Sequence, residues 1–195
     1  DPAEVEDVVM GAALQMGSSA FNTARQGLLE AGLPDTVPGQ SIDRQCSSGM
    51  MAIGIAAKQI ISDGMDVAIG GGVESISSNQ TGDMFTTPSP WLLKNQPALY
   101  MAMIETAEIV GERYNVSREA QDEFSAQSQA RTAAAQQAGA FDDEIVALPS
   151  VMKLMNKETG EVNEIEVNLD KDEGNRPTTT LDALSGLQPV FSGGQ

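Results

Sequence analysis

Short apolar runs and helical stretches take turns through the first 78 residues, with glycine or proline at most of the changes. Residues 7–10 predict a strand that ends at Gly11. Residues 22–31 predict a helix, with Ala24, Leu28 and Ala31 on one side and Gly32 as its stop. Pro34 and Pro38 bracket a loop, after which Ser41 and Ile42 close a second strand. Residues 47–62 carry Met50, Ile53, Ala57 and Ile61 at helical spacings of three and four, before the stop at Asp63-Gly64. A buried strand over 65–69 then runs into Gly70-Gly71-Gly72. Elements that alternate in this way build a layered α/β sheet, because each apolar sheet face needs a helix to cover it.

The second stretch is organised differently. Residues 79–97 are rich in Thr, Pro, Ser and Asn around the isolated Trp91, and read as an irregular excursion from the core. A helix is expected over 97–114, with Met103, Ala107 and Val110 on one face. Ser117 is an N-cap with Glu119 in the first turn of a long helix that stops at Gly139. Residues 141–146 lead into a strand and 151–155 into another. The turn Asn156-Lys157-Glu158-Thr159-Gly160 then starts a half-buried strand with Ile165, Val167 and Leu169 at alternate positions, which makes a hairpin. Thr180 caps a short helix that runs to Leu187. The expected division is therefore 1–78 as a core and 79–195 as a second domain.

Cys46, the only cysteine in 195 residues, falls where the second strand gives way to the helix. The unpaired N–H groups and positive dipole end of a helix stabilise an anion there. A thiol so placed has its pKa lowered from about 8.5 toward about 3.5–7.5, which exposes the nucleophilic thiolate near neutral pH. The alternative is a small buried hydrophobe with no chemistry, the usual fate of a lone cysteine. Ser47, Ser48 and Gly49 favour the nucleophile, since their small side chains leave room for a substrate chain against the backbone. The usual base for such a cysteine is missing, because the chain has no histidine.

Charge narrows the partners. With 28 acidic against 11 basic residues the net charge is -17, which argues against nucleic acid or an anionic membrane surface. A polyanionic ligand would need a local basic patch, for which Lys153, Lys157, Lys171 and Arg176 are the candidates. No apolar run approaches the roughly 18 residues of a membrane span. A single cysteine fits a reducing compartment, so the expected location is the cytoplasm or an organelle matrix. The start at Asp1 and the turn-like end at Gly193-Gly194-Gln195 predict a piece of a longer chain. Gly70 to Ser77 reads more readily as a strand end where backbones meet than as a phosphate cradle, since it lacks the Gly-x-Gly-x-x-Gly spacing.

Six stretches in this order resemble the thiolase family of acyl-CoA acyltransferases. They are Asp-Arg-Gln-Cys-Ser-Ser-Gly at 43–49, Gly-Gly-Val-Glu-Ser-Ile-Ser at 71–77, and Met103 with Thr106-Ala107-Glu108. Ser-Arg-Glu-Ala-Gln-Asp at 117–122, Phe-Asp-Asp-Glu-Ile-Val at 141–146 and Asp-Glu-Gly-Asn-Arg-Pro at 172–177 complete the set. The resemblance implies a layered α-β-α-β-α fold of two similar halves. Here that means most of the first half plus an inserted loop domain that covers coenzyme A, without the second half and its activating histidine and second cysteine. It implies that Cys46 takes an acyl group from acyl-CoA as a thioester, with its backbone N–H helping to hold the oxyanion. Met103, which alone reads as core, is implied to lie beside the acyl and pantetheine tunnel. Arg176, which alone reads as a solvated loop residue, is implied to lie near the CoA nucleotide. No cofactor is implied, coenzyme A thioesters being substrates, and a homodimer or homotetramer is expected.

Asp43, Ile104 and Ala183 depart from the family pattern, where asparagine, glycine and, in some members, serine stand. A carboxylate at Asp43 would raise the pKa of the thiol unless it pairs with Arg44. Two other readings compete. A related condensing enzyme shares the cysteine corner but lacks the inserted Ser-Arg-Glu-Ala-Gln-Asp domain. A non-catalytic acyl-CoA-binding or assembly module needs no base beside Cys46.

Overall fold

A computed structural model describes residues 1–79, 87–191 and 194. The chain divides into two compact units, Asp1–Thr87 and Pro88–Gln195.

In the first unit, β1 (Asp7–Gly11) lies between β2 (Gly39–Ile42) and β3 (Ala68–Gly72), and both pairings are parallel. Successive side chains of a strand point to opposite faces, so Val8 and Val9 serve two cores. Val8 packs with Ala24, Leu28 and Val37 beneath α1 (Thr23–Glu30). Val9 packs with Ala52 and Ala56 beneath α2 (Ser48–Lys58). The result is helix, sheet, helix, with β1 buried on both sides, as the apolar run at 8–10 requires. Asn22 caps α1 by accepting the Arg25 N–H at 3.0 Å, and its amide donates to Gly39 O at 2.7 Å, which pins the helix start to β2.

Two expectations change here. The helix predicted over 47–62 is α helix to Lys58 and a single π turn over Gln59–Asp63, closed by left-handed Gly64. Its sheet-facing side is Ser48, Ala52 and Ala56, whereas Met50, Ile53 and Ile61 are 74%, 57% and 82% exposed. Close approach selects the small face: a Cβ on Gly11 would lie 2.2 Å from Ser48 C, and one on Gly70 2.8 Å from Ile53 Cα. A helix that nearly touches the sheet backbone has no room for Met or Ile on that side. The strand expected over 65–69 is instead Ala68–Gly72, because its glycines pair with Val9, Met10 and Gly11 of β1.

In the first unit the one-turn helix α3 (Ile76–Asn79) follows β3. In the second unit, α4 (Pro90–Asn95) is capped by Ser89 and lies inside the excursion expected to be irregular, of which 80–86 fall outside the described residues. The single helix expected over 97–114 is a 3₁₀ turn, Pro97–Tyr100, and then α5 (Met103–Tyr114). Met101 and Ala102 between them are extended, and the Glu105 carboxylate accepts the Ala102 N–H at 3.2 Å. The helix α6 (Arg118–Gln137) starts at Ser117, whose hydroxyl accepts the Ala120 N–H at 3.2 Å, and is followed by left-handed Gly139.

One strand, β4 (Leu148–Met155), replaces the two expected after 141–146 and at 151–155, and pairs antiparallel with β5 (Val162–Leu169). The hairpin turns at Asn156, whose carboxamide oxygen accepts the Glu158 and Thr159 N–H groups. Its strands are exposed along nearly their whole length, not half-buried. The last helix, α7 (Leu181–Ser185), is capped by Thr180 and held to α6 by Arg118, which donates to Leu184 O and Leu187 O. Among the described residues no helix is long and apolar enough to cross a membrane.

Candidate active site

Cys46 lies in the turn between β2 and α2, two residues before the first helical position, and its side chain is exposed. Side chains build that turn. Asp43 Oδ1 accepts the Gln45 N–H at 2.7 Å, which draws the chain round just after the strand. Gln45 is then left-handed, at φ 50°, an uncommon conformation for a residue with a side chain. Ser48 Oγ accepts the Arg44 N–H at 2.8 Å and donates to Gln45 O at 2.6 Å, closing the turn from the helix side. Ser47 Oγ donates to Arg44 O at 3.0 Å and so makes no side-chain cap on α2. The Ser48 N–H is given to Gln45 O at 3.0 Å, and the start of α2, without a side-chain cap, presents its positive dipole end to an anion.

Asp43 thus serves the turn. Among the described residues it forms no ion pair with Arg44, and its carboxylate accepts a backbone N–H instead.

Around the thiol is a cleft of about 340 Å³, lined by Gly11, Ala13, Gln45, Cys46, Glu74 and Ile76 among others. Its floor is backbone, since Gly72 packs so closely on α2 that an added Cβ would lie 3.1 Å from Gly49 Cα. That space is filled by protein: Gly70 and Gly72 admit α2, Gly71 meets the Met10 side chain, and no phosphate cradle is left. Glu74 closes one side. Its carboxylate accepts the Ala13 N–H at 2.7 Å and the Leu14 N–H at 3.2 Å, joining the loops that leave β1 and β3. The sequence alone does not single out Glu74 as a site residue. The available signal is an acid two residues after a glycine-ended strand, where backbone N–H groups of neighbouring strand ends lie within reach.

The other site residues expected from sequence belong to the second unit. Met103 is the first residue of α5 and is 77% exposed, not core. Arg176 has an exposed side chain, while its backbone N–H donates to Gln129 Oε1 at 2.7 Å. Gln129 also accepts from Asn175 Nδ2, and Gln136 donates to Asp172 O, so α6 straps down the loop that presents Arg176. Lys153 is paired with Glu164 at 3.3 Å on the exposed hairpin. Lys171 lines a second cavity of about 440 Å³ with Gln136, Phe141, Asp142 and Asn175.

The profile described as thiolase, N-terminal domain, matches residues 1–194. This chain belongs to the thiolase family. It is 43% identical over 195 residues to the peroxisomal 3-ketoacyl-CoA thiolase of Yarrowia lipolytica, covering 98% of this chain and 45% of that protein. It is 39% identical to the 3-ketoacyl-CoA thiolase of Bacillus subtilis over 96% of this chain and 48% of that protein. The crystal structure of the Bacillus anthracis acetyl-CoA acetyltransferase matches with a TM-score of 0.74 at 38% identity, covering 98% of this chain and 49% of that one. The fold is therefore the α/β thiolase fold, and the chain spans about half the length of the relatives it matches.

Proposed function

We propose that this chain supplies the nucleophile of an acyl-CoA C-acyltransferase that makes or cleaves 3-ketoacyl-CoA. The carrying observation is the placement of Cys46: an exposed thiol in a cleft, at the uncapped start of α2, in a chain of the thiolase family. The Cys46 sulfur attacks the acyl carbon of acyl-CoA, the bond from that carbon to the CoA sulfur breaks, and the thiol proton passes to the departing CoA sulfur. The products are an acyl thioester on Cys46 and free CoA. Among the described residues no group accepts the Cys46 N–H, which leaves it to stabilise the oxyanion formed on the way.

In this reading residues 79–195 form the domain over coenzyme A, with Met103 beside the acyl arm and Arg176 beside the nucleotide. Exposure of both side chains supports contact with a ligand more than a role in the core. The histidine that draws the proton from Cys46 comes from outside these residues, which contain none. No resident cofactor is required, the assembly is a homodimer or homotetramer, and the single cysteine favours a reducing compartment such as the cytoplasm or an organelle matrix. The test is intact mass spectrometry, after brief exposure to acetyl-CoA, of the full-length protein that contains this chain. One acetyl adduct that Cys46→Ala abolishes is the expected result; an adduct that survives the substitution, or none on a folded protein, refutes the assignment.

A further inference from the structure

The segment after β3 does more than end a strand. Ala13 and Leu14 belong to the loop that leaves β1, and Glu74 lies sixty residues further on, yet its carboxylate bonds both of their N–H groups, at 2.7 and 3.2 Å. Five residues beyond Glu74, Asn79 donates to Leu14 O and to Ser19 Oγ, each at 3.3 Å, and is itself buried. The loop after β1 is thus gripped at successive points by one segment, while Ala13, Glu74 and Cys46 share the lining of one cleft. On the far side Ala12 N donates to Ile42 O, the last residue of β2, so the same loop is tied to the strand that leads to Cys46.

We propose that Glu74 is a positioning residue for acyl transfer at Cys46, its carboxylate holding the backbone of Ala13 and Leu14 as one wall of the cleft in which the acyl group is presented to the thiol. The inference rests on the acyltransferase reading and deepens it. Both Glu74 oxygens are committed to N–H donors, so the side chain acts as an acceptor that sets loop geometry and not as a proton carrier. A carboxylate is suited to this, because hydrogen bonds to an ionised acceptor are about twice as strong as neutral ones. A misplacement of about 1 Å near a reacting centre costs up to about a hundredfold in rate.

The experiment compares two rates at Cys46 in the full protein, read on the peptide that carries it: acylation by acetyl-CoA and alkylation by iodoacetamide, which needs the thiol but not the wall. Glu74→Ala is expected to slow acylation at saturating acetyl-CoA about tenfold or more, with alkylation unchanged. Glu74→Gln keeps one acceptor oxygen but turns an amide NH₂ toward the second N–H, and is expected to fall between the parent and Ala. Should Glu74→Ala not fold, Glu74→Gln alone decides. Parent-like or faster acylation in the variants overturns the inference, as does an equal fall in both rates, which marks a general loss of structure. A parent protein that is not acylated refutes the acyltransferase reading instead, and this inference with it.

Discussion

Replacing Gly11 with alanine tests the packing that places Cys46. The added Cβ would lie 2.2, 2.3 and 2.4 Å from Ser48 C, Ser48 O and Gly49 N, all backbone atoms of the first turn of α2. Carbon contacts settle at about 3.5–4.0 Å, so the helix start must retreat by about 1 Å or more. No side chain can absorb that displacement by changing rotamer, and the retreat also opens the contacts of Val9 with Ala52 and Ala56. Overpacking typically costs about 1–3 kcal/mol, and the rigidity of all three neighbours puts Gly11→Ala at about 3 kcal/mol or beyond. Gly27→Ala, in the middle of α1 with nothing within 4 Å of its Cβ position, makes the same chemical change in open space. It should stabilise by about 0.5–1 kcal/mol through helix propensity. Urea unfolding of the two variants beside the parent gives the comparison directly. A Gly11→Ala protein within about 0.5 kcal/mol of the parent would refute the account of how α2 is seated, for that is the scatter of an ordinary surface change.

Other sites give independent tests. Asp7 is buried at the start of β1 and accepts from the side chains of Gln40 at 3.0 Å and Gln59 at 2.5 Å, so Gln59→Ala should cost about 1–3 kcal/mol of unfolding free energy by leaving a buried carboxylate short of a donor. Arg118 joins Asp122 to Leu184 O and Leu187 O through its planar fork, which lysine cannot reproduce. Arg118→Lys should therefore raise amide exchange in residues 181–187 while leaving α6 protected; unchanged exchange there would count against the anchor. The carboxyl of Glu119 is held below the usual glutamate range by hydrogen bonds from its own backbone N–H and from the Ser117 hydroxyl, with a smaller contribution from Arg118. Its stabilising contribution is present above the ordinary glutamate value and is lost as pH falls through the lowered folded one. An NMR titration should show the low midpoint, and Ser117→Ala should move it upward.

Much of the local structure follows from short-range chemistry. Asn22, Ser117 and Thr180 cap helices because their side chains reach the N–H two or three residues ahead, whatever packs around them. Gly32, Gly64 and Gly139 adopt the left-handed turn that ends a helix for a similarly local reason. Cys46 between strand and helix was legible for the same cause, and six motifs in order carried the family. The face of α2 was not legible. Apolar periodicity marks Met50, Ile53 and Ile61, yet the side that meets the sheet is Ser48, Ala52 and Ala56, because the spacing between helix and strand is set by glycines on β1 and β3 that lie far away in sequence. Glu74 is a similar case, since its partners at Ala13 and Leu14 come within reach only once β1 and β3 pair in parallel and bring their ends together. Caps, stops and the corner that holds Cys46 are decided within one turn of chain, where a side chain can reach its own backbone. Which surface a helix buries, and which acid steadies the cleft, depend on distances between strands that exist only after the sheet has formed.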